Sequence, residues 1–347
     1  MMISKIPNHY LYLLTFAVAL ITTLLTTPLM RFIALRLGIM DAPHSSIKTH
    51  KHPIPYLGGM GIWFGWIMSL IVIRFFTDFP TGTLRSLRGI ITGSVCILLL
   101  GLVDDCIPKG LGFKKKFLVQ ILAAILVIWF DVRLHFVSPY SVAVMLSIVW
   151  IIGVTNAYNI IDIMDGLSSG LAAIASLAFL FITLPTEHLY VNFCAVALAG
   201  GCIGFLPYNL SNKYKIFMGD TGSLAIGFIL ASVSMGSSYT RLSDIGILAP
   251  LLILAIPIYD TFLVMYLRIM KGQSPFLGSR DHFALRLEIA GLSRKQILVV
   301  TYIASAFLSY GAYLVTRLPF SGASIVFALV FVIALFISYN LNKIKVS

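Results

Sequence analysis

Asp104 and Asp105 stand side by side at the end of the apolar run that closes Gly-Leu-Val-Asp-Asp, ahead of Lys109 and the run Lys114-Lys115-Lys116. Adjacent carboxylates repel, and a hard dication or a lysine between them relieves the repulsion. The plainer reading is a polar helix end. The lysines alone read as a topology signal or a contact to anionic lipid.

Residues 156–166 carry Asn156, Asn159, Asp162 and Asp165 at every third position, then Gly166. On an ideal helix such a row drifts backwards by about 60° per member, so the four side chains face one ligand only if the helix unwinds. Gly166 and Ser168-Ser169-Gly170 make a break there plausible. Phe217-Met218-Gly219-Asp220-Thr221-Gly222-Ser223 reads first as a helix start, with Asp220, Thr221 and Ser223 competent to cap it. The same start offers free N–H groups to phosphate.

Asp260 lies inside the apolar run Pro257-Ile258-Tyr259-Asp260-Thr261, where a carboxylate is either functional or the partner of a buried polar group. Lys48, His50, Lys51 and His52 precede Pro53-x-Pro55 and Gly58-Gly59, whose glycines permit close packing or phosphate contact. Arg280-Asp281-His282 sets a cation, an anion and a titratable ring side by side, and His282 could neutralise phosphate or shuttle a proton.

These residues must be positioned by membrane helices. Only 11% of the 347 residues are charged and 59% are hydrophobic, with a mean hydropathy of +0.96, far from a soluble domain with about a quarter charged. Apolar runs predict an all-α polytopic bundle of eleven helices at 9–30, 57–76, 87–103, 117–132, 141–156, 167–185, 190–208, 221–238, 246–267, 297–316 and 322–340, in one domain over 1–347. The first run has no basic n-region and reads as a span. Cys96, Cys106, Cys194 and Cys202 lack metal or redox spacing and read as small hydrophobes.

Alternate loops differ sharply in charge. Residues 31–56, 104–116, 156–166, 207–220, 268–296 and the C-terminal tail hold 18 of the 25 Lys and Arg, which puts those loops in the cytoplasm, the N-terminus outside and the C-terminus inside. The net charge of +12 is thereby explained without a nucleic-acid partner. Nine of 13 acidic residues also lie at that face, where unpaired carboxylates are costly. An active site there is expected.

Taken in order, the motifs resemble the polyprenyl-phosphate N-acetylhexosamine-1-phosphate transferase family: Lys48-x-His50, Pro53-x-Pro55, Gly58-Gly59, Asp104-Asp105, Asn156-x-x-Asn159, Asp165-Gly166-Leu167, Phe217-Met218-Gly219-Asp220, Pro257-x-x-Asp260-Thr261, and Pro275-Phe276 with His282. The resemblance runs from about Asp41 to Leu287 and includes an eleven-helix, N-out topology. It implies transfer of a sugar-1-phosphate from a UDP-sugar to a membrane polyprenyl phosphate, with release of UMP. Asp220 would bind Mg²⁺ (or Mn²⁺) with Asn159 beside it, and Asp104 and Asp105 would lie near the attacking lipid phosphate. Asp162 and Asp165 would lie in the nucleotide pocket, with Asn156, Asp260 and Arg280 among the substrate contacts. Phe217 would stack on uracil, and Lys48, His50 and His282 would face phosphate.

This chain departs from the pattern at three places. Ile47 replaces the usual Arg in a first loop one residue longer from Pro43. Asp162-Ile163-Met164-Asp165-Gly166-Leu167 loses one glycine, and His282-Phe283-Ala284-Leu285 keeps one histidine of three, leaving Arg280 or Arg286 to compensate. The expected sugar is N-acetylglucosamine, from UDP-GlcNAc to undecaprenyl phosphate, in the bacterial inner membrane with the site on the cytoplasmic face. A homodimer is compatible with this reading. The alternatives are a phospho-MurNAc-pentapeptide transferase and a cation-coupled transporter, the latter disfavoured by the absence of an inverted repeat.

Overall fold

The computed structural model describes residues 6–41, 52–107, 110–186, 188–236, 244–275 and 279–344. Lys48 and His50 lie outside the described residues. The chain is an all-α membrane protein. Its helices are α1 (Asn8–Leu37), α2 (Gly58–Ile73), α3 (Thr81–Cys106), α4 (Phe113–Trp129), α5 (Tyr140–Ile160), α6 (Leu167–Thr183), α7 (Leu189–Asn209), α8 (Gly219–Ser234), α9 (Ala249–Ile253), α10 (Ala255–Met270), α11 (Phe283–Ile289), α12 (Arg294–Val315) and α13 (Phe320–Asn342). Two short strands, β1 (Met40–Asp41) and β2 (Ile54–Pro55), pair antiparallel.

Among the described residues, six helices are long and apolar enough to cross a membrane: α1, α3, α5, α7, α12 and α13. A seventh crossing is made if the segments Ile245–Ile253 and Ala255–Met270, bent by 73°, form one span. The ninth predicted helix, 246–267, is therefore not continuous. Pro257 explains part of the break, since its ring cannot donate to the ladder at the start of α10. α2, α6 and α8 are apolar but shorter.

The centre of the bundle is α8. All of its 16 residues except Asp220 are buried, as expected of a helix apolar on every side. Lipid tails give helices no hydrophobic reason to associate, so close packing of small residues does the work. Gly59 of α2 and Gly222 of α8 touch backbone to backbone, and a Cβ on Gly101 of α3 would sit 2.5 Å from the Thr221 backbone. A side chain at either glycine would push a neighbour away from the start of α8. The same contacts bring the end of α3 and the start of α2 to the end of α8 that carries Asp220.

Candidate active site

The end of α3 supplies the cap that α8 lacks. Asp220 is the second residue of α8 and does not cap it. Asp105 does so from another helix: its Oδ1 accepts from the Asp220 N–H at 2.9 Å, and its Oδ2 from the Thr221 N–H at 3.0 Å and hydroxyl at 2.6 Å. The local cap expected from Asp220, Thr221 and Ser223 is thus corrected. Gly219, at φ +70°, lies so close to the Asp105 carboxylate that a Cβ would strike it.

With α8 capped by Asp105, the Asp220 carboxylate is free to face its neighbours. Lys116, in the first turn of α4, bonds Asp220 Oδ2 at 2.5 Å and Asp104 Oδ2 at 2.9 Å. The Leu111 N–H donates to Asp104 Oδ1 at 2.5 Å. Oxygens of Asp104, Asp105 and Asp220 all lie within 4.8 Å of one another, the spacing of a cation site. Three carboxylates so close repel by roughly 3 kcal/mol per pair at an effective dielectric of 20. Lys116 offsets one charge and leaves two, which suits a hard dication with oxygen ligands.

Asn159 reaches the cluster as a donor. Its Nδ2 bonds Asp220 Oδ1 at 2.9 Å and the Ser223 hydroxyl at 3.0 Å, while that hydroxyl donates to the Gly219 carbonyl. An acceptor-only carboxylate and an occupied hydroxyl fix the amide nitrogen towards the cluster. In this orientation Asn159 holds Asp220 and presents no ligand oxygen to a cation. Asn156 does not join it. It pairs with Gln120 of α4, donating to Gln120 Oε1 at 2.7 Å.

α5 ends at Ile160, so the row of four polar residues is divided between helix and loop. The unwound segment brings Asp162 and Asp165 to the wall of a cavity of about 260 Å³, which Asn159, Asp220, Phe217, Tyr56 and Lys215 also line. Burial, then the charges of Asp220, Asp165 and Asp105, push the Asp162 carboxyl up to about 8. Asp165 is paired with Lys215 at 2.6 Å, and the Lys215 ammonium stands 5.7 Å from the centre of the Phe217 ring.

Phe217 is held by the first loop. Its N–H donates to the Pro55 carbonyl at 2.9 Å, and its carbonyl accepts from Gly58 at 2.9 Å. Gly58-Gly59 therefore serves close packing. Tyr56 lies beside Phe217, ring centres 6.4 Å apart. Burial and then the hydrogen bond to Asp41 raise the Tyr56 hydroxyl far above its ordinary value, keeping it a donor.

The late motif forms a separate buried group. Asp260, fully buried in α10, bonds His282 Nδ1 at 2.7 Å and accepts from the Phe283 N–H at 2.9 Å, capping α11 from outside. Neither Asp260 nor His282 lines the cavity, and Arg280 is exposed. Arg286 cannot replace the missing histidines. It is buried, bonded to Asp281 at 2.6 Å and to the Leu341 and Ile344 carbonyls at 2.8 and 2.7 Å.

Sequence reading passed over Lys116, Tyr56, Lys215, Arg294 and Asn209. Lys116 was one lysine of three, yet Gln120 one turn later is a buried amide on an apolar helix, and that spacing marks the inward face.

Residues 87–238 match the description of glycosyl transferase family 4, a stretch that includes Asp104, Asp105, Lys116, Asn159 and Asp220. The chain is 31% identical over 306 residues to a Bacillus subtilis protein named a probable undecaprenyl-phosphate N-acetylglucosaminyl 1-phosphate transferase, covering 86% of this chain and 83% of the relative. It is 28% identical over 341 residues to a decaprenyl-phosphate N-acetylglucosaminephosphotransferase of Mycobacterium tuberculosis, covering 89% and 83%. It is 26% identical over 317 residues to the undecaprenyl-phosphate alpha-N-acetylglucosaminyl 1-phosphate transferase of Escherichia coli, covering 86% and 83%. With the acidic cluster inside the matched stretch and the likeness extending over most of each chain, this protein belongs to glycosyl transferase family 4.

Proposed function

We propose that the protein transfers N-acetylglucosamine-1-phosphate from UDP-GlcNAc to undecaprenyl or a similar polyprenyl phosphate, releasing UMP. The observation that carries this reading is the cluster of Asp104, Asp105, Asp220 and Lys116, whose Asp220 also lines a cavity with Phe217, Tyr56 and Lys215. The names of the relatives supply the sugar and the lipid. They favour it over the phospho-MurNAc-pentapeptide alternative.

The acceptor phosphate is a monoester with a second pKa of about 6, so it is mostly dianionic near neutrality and needs no general base. Its oxygen bonds to the β-phosphorus of the donor as the bond from that phosphorus to the bridging oxygen breaks, and UMP departs. Mg²⁺ (Mn²⁺ has the same preference for oxygen) fits Asp220 and Asp104, where it would neutralise the diphosphate and stabilise the leaving group. Asp105 holds the start of α8, and Asn159 holds Asp220. Lys116, between Asp104 and Asp220, would be available to the acceptor phosphate when a dication met the charge of its carboxylates. The aromatic end of the cavity takes the nucleobase, with Lys215 towards the phosphates.

By the distribution of Lys and Arg, this end of the bundle faces the cytoplasm, where UDP-sugars are found, and the membrane is the bacterial inner membrane. Incubating purified protein with radiolabelled UDP-GlcNAc, undecaprenyl phosphate and Mg²⁺ should yield a lipid-linked product and UMP, with none from Asp220→Ala. If wild type makes no lipid product from any UDP-N-acetylhexosamine, the reading is wrong.

A further inference from the structure

Gly166 is held from two sides. It ends the unwound segment that carries Asp162 and Asp165, at φ +79°, and its N–H donates to Asn209 Oδ1 at 2.6 Å. Its carbonyl accepts from the Tyr302 hydroxyl of α12 at 2.6 Å, in addition to the Gly170 N–H of the first turn of α6. Asn209 Nδ2 also donates to the Ile216 carbonyl at 3.1 Å, one residue before Phe217. One amide thus ties the Asp162–Asp165 wall to the Lys215–Phe217 wall, and Tyr302 fixes the first of these against a helix otherwise turned largely to lipid.

The Tyr302 ring is seated as firmly as its hydroxyl. It lies against Gly170, where a Cβ would collide with the ring, and Gly166 is closed in by the same hydroxyl and by Leu210. α12 also carries Arg294, which lines the cavity, eight residues before Tyr302. The helix thus meets the cavity through Arg294 and the end of the Asp162–Asp165 segment through Tyr302.

We propose that Tyr302 is a positioning residue for donor binding. Resting on the transferase reading above, this assigns its hydroxyl the task of holding the Asp162–Asp165 segment at the distance from Phe217 that a uridine nucleotide requires. It touches no substrate. Its loss loosens one wall of the donor pocket and leaves the carboxylate cluster and the acceptor side as they are.

The structure contains a matched control. Tyr190 donates to the Gly236 carbonyl at 2.9 Å, also against a glycine with no room for a Cβ, at the opposite end of α8. Tyr302→Phe and Tyr190→Phe each remove one hydroxyl and keep the ring. In full-length purified protein, Tyr302→Phe should weaken UMP binding, measured by calorimetry, and raise the KM for UDP-GlcNAc by roughly five- to tenfold, as expected for one hydrogen bond. The kcat and the KM for undecaprenyl phosphate should stay within about twofold. Tyr190→Phe should lower Tm about as much as Tyr302→Phe does and move none of the kinetic terms. Unchanged UMP affinity in Tyr302→Phe, or equal weakening in Tyr190→Phe, overturns the positioning role. If wild type itself neither binds UMP nor forms product, the transferase reading falls first and this proposal with it.

Discussion

The Asp105 carboxylate on α3 caps the helix that carries Asp220, accepting the backbone N–H of Asp220 itself at 2.9 Å. The two aspartates are thereby different in kind. Asp105 spends both oxygens on α8, whereas Asp220 spends its own on Lys116 and Asn159. Replacing Asp105 with Ala should remove a cap worth about 1–2 kcal/mol, lower Tm and abolish turnover together. Asp220→Asn should abolish turnover with a smaller Tm loss than Asp105→Ala, because it gives up the Lys116 ion pair and relieves some repulsion but leaves the cap of α8 in place. Thermal unfolding in detergent, paired with the radiolabel assay, separates them; equal Tm losses in both variants would contradict the cap.

Lys116 and a dication serve the same electrostatic need. In EDTA, Lys116→Met should unfold at a lower temperature than wild type, since three carboxylates within 4.8 Å lose their only described cation partner. The loss is that of one partner of a largely buried ion-pair group, about 3–5 kcal/mol. Millimolar Mg²⁺ should narrow that gap by stabilising the variant more than wild type. A gap insensitive to Mg²⁺ would show that the cluster does not take the ion.

Asp162 sets an alkaline limit. Its folded-state value of about 8 lies above the ordinary carboxylate range near 4, so protonation favours the folded state. The contribution is whole at pH below about 4, declines as pH rises and is gone above about 8. Relative to Asp162→Asn, wild type should therefore lose Tm between pH 5 and 8 and run parallel to it above. Parallel profiles over the entire range would rule this out.

Arg286 has a structural task. Burial would raise the Asp281 carboxyl, but hydrogen bonds from Lys271, Ser279 and Arg286 hold it below the usual range. That stability is present above about pH 4 and is lost as pH falls through the folded value. Arg286→Met should cost about 2–3 kcal/mol by removing the buried one of the two cations on Asp281, with Lys271 remaining, and by freeing the end of α13, and should reduce the acid limb of the Tm profile. A Tm within a degree of wild type would refute it.

Hydropathy and loop charge, read along the chain, determined the helical segments and the end of the bundle where carboxylates gather, and the phase of the Asn/Asp row with Gly166 pointed to the unwinding there. These are local properties, set by how each stretch of side chains meets lipid or water. Which residues meet was decided only by packing. Asp105 and Asp220 are 115 residues apart, and they meet because glycines at 59, 101 and 222 let α2 and α3 approach the start of α8. The same packing chose Lys116 from a run of three lysines and turned the Asn159 amide nitrogen towards Asp220. It also paired Asp260 with His282 away from the cavity. Hydrogen bonds between distant helices leave no period in the sequence, because each partner needs only the right atom at the point of closest approach.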